Sequence, residues 1–247
     1  MQKYPRVSVV IPARYEEHNL PYVLPRIPLF VCEVILVDGH STDATVAVAR
    51  QVYPSIRIID QCGKGKGDAL RQGFAVCTGD IIVMLDADGS TDPVEIPRFV
   101  DALMLGYDFA KGSRFLDGGG SQDITPLRML GNLSLKLIVN VLYGTHFSDL
   151  CYGYNAFKRD CLEHMSLDCD GFEIETQLHL QVHKAQLSMI EVPSVEYHRL
   201  HGKSNLRTFQ DGWCVFLTII KEKYGQLRPI SSVLPGTNYH ALQIPPE

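Results

Sequence analysis

Asp86 and Asp88 stand two residues apart at the end of the apolar run Ile81–Leu85. Alternate residues of an extended chain share a face, so the two carboxylates can converge on one point. Two carboxylates in one small site repel each other unless a cation lies between them. Mg²⁺ or Mn²⁺ suits such hard oxygen ligands, needs only one or two protein carboxylates, and completes its shell with phosphate oxygens and water. The chemistry predicted is a divalent metal joining the protein to a diphosphate. A turn role competes with it, because Asp88-Gly89-Ser90 is also good turn chemistry.

Other groups invite weaker readings. The stretch GKGKGDA (63–69) offers a pliant backbone and two lysines suited to phosphate, yet lacks the third glycine of a dinucleotide fingerprint. His179 and His183 share a helix face at i and i+4, but no glutamate completes a metalloprotease motif, so they read as ordinary helix-face histidines. The seven cysteines are odd in number and form no CxxC pair. Neither a zinc site nor a disulfide framework is indicated. Cys151 or Cys161 with His146 or His164 has no spacing that supports a nucleophile, and packed thiols are expected.

The acid pair needs elements to position it. Four apolar runs, Val7–Ile11, Glu33–Val37, Ile56–Ile59 and Ile81–Leu85, begin 26, 23 and 25 residues apart with helix-compatible segments between them. That is βαβ spacing, and near-continuous apolar strands imply a sheet covered on both faces. Ser41-Thr42-Asp43 offers caps before a helix over Ala44–Val52, and Thr91-Asp92-Pro93 does so before Val94–Leu105. In such a sheet ligands bind at the carboxyl ends of the strands. Arg14, Glu16, Glu17, Asp38, Asp86 and Asp88 all stand at those ends.

The second half is less regular. Strands are expected over Tyr107–Gly112, Tyr154–Phe157 and Ser188–Tyr197, and helices over Leu127–Tyr143, Phe172–Lys184 and Thr208–Tyr224. A glycine-rich loop spans Asp117–Gly120. Residues 1–225 are read as one mixed α/β domain, and 226–247 as a loosely held C-terminal tail.

Composition narrows the class. Hydrophobic residues make up 45% and charged residues 21% of 247 residues, which is ordinary for a soluble domain. A net charge of −5 does not suggest a nucleic-acid partner. No apolar run approaches the roughly 18 residues of a membrane span, and the N-terminus carries no cleavage signature. The expectation is a cytoplasmic protein, with peripheral attachment to the inner face of the membrane left open.

Seven motifs in order carry a family resemblance: VSVVIPARYEEHNL (7–20), ILVDGHSTDAT (35–45), GKGKGDALRQGF (63–74), TGDIIVMLDADGS (78–90), KGSR (111–114), SDLCYGYNAFKR (148–159) and GFEIETQL…EVPSVEYHRLHGKSNL (171–206). Together they resemble family 2 glycosyltransferases, most of all the dolichol-phosphate mannose synthases and their bacterial polyprenyl-phosphate relatives. The resemblance spans residues 7–224. It implies a GT-A fold (a Rossmann-like, mostly parallel sheet flanked by helices), a nucleotide-sugar donor such as GDP-mannose or a UDP-sugar, Mg²⁺ or Mn²⁺, and inverting transfer of a hexose.

The resemblance also implies roles. Pro12, Arg14 and Glu16 match the first loop, near the nucleobase, and Asp38 matches the acid near base or ribose. Lys66 and Gly67 fall in the loop lining the nucleotide, and Asp86 and Asp88 match the metal motif. Arg114 and Arg128 resemble arginines that meet phosphates, with Arg128 toward the acceptor. Arg199 and Lys203 look like a mobile basic loop over the donor diphosphate. Asp149 is the first candidate for a general base, with Glu173 and Glu175 in reserve. The chain departs from the pattern at Gly39 and His40, where a second acid is usual, at Ser90, where glutamine is frequent, and in the absence of membrane spans after the catalytic region.

A polyprenyl phosphate acceptor is already anionic and needs positioning more than a base, whereas a hydroxyl acceptor needs one. The apolar helices 127–143 and 208–224 carry Arg128, Lys136, Trp213, Lys221 and Lys223, which suits a membrane surface. Core packing, or a homodimer interface, would use the same residues. A nucleotidyltransferase and a non-catalytic nucleotide-sugar binding module are the rival classes. The first wants a glycine-rich basic N-terminal loop, which PARYEEHNL is not. The second does not need both an acid pair and a basic loop.

Overall fold

The computed structural model describes residues 4–225. The tail read over 226–247 lies outside the described residues. In chain order the elements are β1 (Val7–Ala13), α1 (Leu20–Val23), β2 (Val31–Asp38), α2 (Thr45–Val52), β3 (Arg57–Asp60), α3 (Lys66–Val76), β4 (Ile81–Met84), α4 (Ile96–Met104), β5 (Phe109–Ser113), β6 (Gly120–Ser121), α5 (Pro126–Tyr143), β7 (Asn155–Lys158), α6 (Ile174–Lys184), β8 (Met189–Pro193), β9 (Val195–Glu196) and α7 (Thr208–Tyr224). Seven strands form one sheet in the order β3-β2-β1-β4-β7-β5-β8. β7 runs antiparallel to both its neighbours, and every other pairing is parallel.

β1, β4 and most of β2 are buried on both faces, as their composition requires, whereas β3, at the sheet edge, is half-buried. Along β1, Val7, Val9 and Ile11 enter one core with Leu20, Phe99 and Leu103. Val10 turns to the other with Leu70, Phe74 and Leu178. A third, smaller core joins α5, α6 and α7 through Val139, Leu180, Val215 and Ile219. The strand order reverses at β1, which lies between β2 and β4, so the carboxyl ends of β1 and β4 open a crevice at the switch point.

Two expectations change in detail. The strand expected over Ser188–Tyr197 is two, because fully buried Ser194 separates β8 from β9 and the chain leaves the main sheet to pair with β6. None of Ser41-Thr42-Asp43 is the N-cap of α2, which is Ala44 and makes no side-chain cap; Asp43, one residue earlier, accepts at Oδ1 from the Thr45 amide and hydroxyl at 3.1 and 2.6 Å. Asp92 caps as expected, accepting from the Val94 amide at 3.0 Å.

Candidate active site

β4 delivers the acid pair to the crevice. Lys66 Nζ lies 2.6 Å from Asp86 Oδ1 and 2.7 Å from Glu175 Oε1, at the start of α3 and of α6 respectively. Burial works against the Lys66 ammonium, but the two carboxylates outweigh it and raise its pKa. Burial pushes the pKa of Glu175 up against the pull of Lys66. On the other side, Arg199 reaches Asp88 Oδ2 at 2.6 Å and Glu16 Oε1 at 3.2 Å. Asp88 Oδ1 accepts from the Ser90 amide and hydroxyl at 2.9 and 2.6 Å. The turn role and the site role of Asp88 are thus filled by different oxygens of one carboxylate.

β2 supplies Asp38, which is buried. Its Oδ2 accepts from the Ser41 amide at 3.0 Å, while its Oδ1 has no partner among the described residues. Pro12 is the penultimate residue of β1, paired with Val37 next to Asp38, and Arg14 is exposed, resting over the Tyr15 ring. Gly67 serves packing: a Cβ there would stand 2.3 Å from the Cys169 carbonyl oxygen, and its amide donates to Asp170 O at 2.7 Å. Its backbone faces the 169–170 segment, whereas its neighbour Lys66 reaches the acid pair.

Arg114 and Asp149 form a buried pair. The Arg114 guanidinium donates from Nε to Asp149 Oδ2 at 2.7 Å and from one terminal nitrogen to Oδ1 at 3.0 Å. It also reaches Glu196 Oε2 at 3.0 Å and the Cys151 carbonyl at 2.7 Å, and stacks over Tyr152. Asn132 of α5 donates to Asp149 Oδ1 at 2.9 Å. Asp149 is 0% exposed. Burial would raise its pKa, but the hydrogen bonds and charge of Arg114 hold it below the usual carboxylate value. A carboxylate with both oxygens bonded and a lowered pKa is poorly suited to the general-base role expected of it. Likewise the Arg114 side chain is spent on protein partners rather than presented to a phosphate.

Arg128 sits in the first turn of α5, capped by Thr125, and pairs with Asp123 only at 3.8 Å. Lys203 is exposed on the loop that carries Arg199. Glu173 accepts from the Gly171 amide at 3.1 Å and does not join the cluster, whereas Glu175 does. His179 is fully buried, with Phe109 and Phe147 around it and its Nε2 3.3 Å from Asn155 Oδ1. His183 lies beside Tyr143 instead, so the two histidines are packing residues. Sequence reasoning missed Asn132 and Glu196, which complete the Arg114–Asp149 pair. A buried asparagine in an apolar helix was the readable signal, since such a group needs partners.

Paired carboxylates and cations thus stand at the switch-point crevice of a mostly parallel α/β sheet, where such folds bind their ligands. The profile of Glycosyl transferase family 2 matches residues 8–166, and the chain belongs to that family. Glycosyltransferase AglJ of Haloferax volcanii is 32% identical over 190 residues, covering 76% of this chain and 62% of the relative. The polyprenol monophosphomannose synthase of Mycolicibacterium smegmatis is 30% identical over 220 residues, covering 81% of both. The chain spans 62% and 52% of the lengths of two Haloferax volcanii relatives, AglJ and the hexosyltransferase Agl6. Among solved structures, glucosyl-3-phosphoglycerate synthase from Mycobacterium tuberculosis with Mn²⁺, UDP and phosphoglyceric acid superposes with a TM-score of 0.71 at 21% identity, over 89% of this chain and 79% of that one. The architecture is the GT-A fold.

Proposed function

We propose that the protein transfers a hexose from a nucleotide sugar to a polyprenyl phosphate at a membrane surface, inverting the anomeric carbon. The observation that carries this reading is the pairing of Asp86 and Asp88 with Lys66 and Arg199 at the switch point. The free Oδ1 of buried Asp38 supports it, because an unpaired buried acceptor is ready for a base or ribose donor.

Asp86 and Asp88 are the carboxylates that would hold a divalent cation; among the described residues no group of three or more His, Cys, Asp or Glu side chains is placed to do so, and diphosphate oxygens and water would complete the shell. Four carboxylates (Glu16, Asp86, Asp88, Glu175) against two cations (Lys66, Arg199) leave two formal negative charges. Mg²⁺ or Mn²⁺ held by Asp86 and Asp88 would supply positive charge against the leaving diphosphate. Lys66 holds a fixed charge beside Asp86. Arg199 and Lys203, on a loop, direct charge to the same leaving group, where it counts most in the transition state.

A phosphate acceptor agrees with the state of Asp149, since its attacking oxygen already carries charge and needs no base there. Arg128, paired with Asp123 only at 3.8 Å, is the arginine assigned to it in this reading. The lipid reading rests on the outward faces of α5 and α7. Leu130, Leu133, Leu137 and Val141 recur along α5 and are 52–74% exposed, and Phe209 and Trp213 on α7 are 79% and 60% exposed. The two helices pack side by side, with Tyr143 donating to the Ile219 carbonyl at 2.8 Å. Among the described residues no helix is long and apolar enough to cross a membrane. The faces therefore suit lying on a surface rather than spanning it.

The test feeds labelled GDP- and UDP-sugars to the purified protein, with polyprenyl phosphate in detergent or with soluble sugars in buffer. Transfer to the lipid phosphate, with co-sedimentation on anionic vesicles that Trp213→Ser and Leu133→Ser weaken, is expected. Transfer to water-soluble hydroxyls alone, or a dimer in solution that covers these faces, contradicts the acceptor.

A further inference from the structure

The segment carrying Arg199 belongs to no helix or strand, and several of its attachments converge on the metal motif. The Leu200 amide donates to the Asp88 carbonyl at 3.2 Å, and the Tyr197 amide to the Ser90 carbonyl at 2.8 Å. The Leu200 side chain fills the space over Gly89, where a Cβ would stand 2.6 Å from its Cδ1. Gly89 has φ +80°, so that position suits glycine on two counts. Other ties hold the segment away from the motif: Asn19 donates to the His201 carbonyl at 3.2 Å and also to Glu16, the His201 ring lies against His18 and Tyr22, and His198 Nδ1 stands 3.5 Å from Asp123 Oδ1. The side chain of Arg199 is gripped by Asp88 and Glu16 alone among the described residues.

This arrangement occupies a carboxylate oxygen that a metal would take. Asp88 Oδ1 is committed to Ser90, so Oδ2 is the oxygen left, and Arg199 holds it at 2.6 Å. A guanidinium and a divalent cation cannot share that oxygen closely, because like charges so near each other repel. Glu16 has no such conflict: its second oxygen is taken by Asn19, its first by Arg199. Behind the loop lies a cavity of about 290 Å³, lined by Tyr22, Arg26, Thr91 and Leu200 among others. It leaves Leu200 room to withdraw.

We propose that Arg199 is a stand-in cation, parked on Asp88 by Glu16 while no metal is bound, and that metal binding at Asp88 expels it toward the donor diphosphate. Glu16 is then a positioning residue, which differs from the nucleobase contact expected of it. The metal and the arginine arrive at the diphosphate by one exchange, so the ion that meets the leaving group also frees a second positive charge for it. The inference rests on the metal reading above.

The test uses Mn²⁺ alone and the full chain. Free Mn²⁺ is counted by its electron paramagnetic resonance signal in titrations of wild type, Arg199→Gln and Glu16→Gln, with and without UDP. Hydrogen exchange of the 199–203 amides is followed in parallel. Arg199→Gln is expected to bind Mn²⁺ about tenfold tighter than wild type without nucleotide, since it removes a competing charge. In wild type Mn²⁺ alone speeds exchange at 199–203, and UDP then slows it. In Glu16→Gln the same amides exchange fast before any metal is added. Equal Mn²⁺ affinity in wild type and Arg199→Gln, with loop exchange indifferent to Mn²⁺, overturns the exchange while leaving the metal site standing. No Mn²⁺ binding by any form, with or without UDP, removes the metal reading and this inference together.

Discussion

Two arginines, alike in the sequence as partners for phosphate, end in opposite states. Arg114 leaves the end of β5 into the interior, where its side chain is 6% exposed. It meets two carboxylates, a backbone carbonyl and a tyrosine ring. Arg199 sits on a loop, 20% exposed, and meets two carboxylates only. A pair as saturated as Arg114–Asp149 cannot be traded for solvent or ligand without leaving a buried charge unpaired. A pair on an irregular segment can be exchanged for a ligand of like chemistry. The first pair is structural, and the second is the one we propose to be exchangeable. Charge and motif do not separate these roles; burial and the number of partners do.

The comparison breaks most visibly at Asp149. Removal by Asp149→Ala strands the Arg114 charge inside the protein, and breaking such a buried pair costs about 3–5 kcal/mol. A drop in Tm of roughly 10 °C is expected for a chain of this size, read by calorimetry. Unchanged Tm with abolished turnover would instead make Asp149 the general base. At the other arginine, Arg199→Ala should lower kcat about a hundredfold, the scale of one lost transition-state donor, with little change in Tm. A rise in KM with kcat intact would return Arg199 to simple donor binding.

A smaller effect sharpens the contrast through pH. The pKa of Asp149 is lowered in the folded protein, because Arg114 outweighs burial. Its stabilisation is therefore present above the ordinary 3.8 and is lost as pH falls below it toward the depressed value. Wild type should lose stability through that acid range more steeply than Asp149→Asn, in denaturant titrations at stepped pH. Parallel slopes would mean that the pair contributes no charge-dependent stability.

Much of this was legible in the sequence. The four apolar runs, their spacing and the carboxylates at their ends gave the parallel half of the sheet, because βαβ units leave a periodic trace. Asp86, Asp88 and Asp38 were found at the crevice by the same logic. The antiparallel insertion of β7 between β4 and β5 left no such trace, since it depends on long-range pairing. Asp149 was read as the first candidate for a base because a motif gives a residue's neighbours in the chain, not the guanidinium and the asparagine that close around it. The motif placed Gly67 in a loop lining the nucleotide, and could not show that the close approach it permits is to the backbone of residues 169–170.

The central claim is a nucleoside diphosphate held through a divalent cation at Asp86 and Asp88. Titration calorimetry of GDP and UDP against wild type and Asp88→Ala, each with and without Mn²⁺, tests it most directly. The account predicts that one nucleotide binds wild type tightly only with Mn²⁺, and that Asp88→Ala loses this metal-dependent gain. Binding of equal strength with and without Mn²⁺, unchanged in Asp88→Ala, would contradict it.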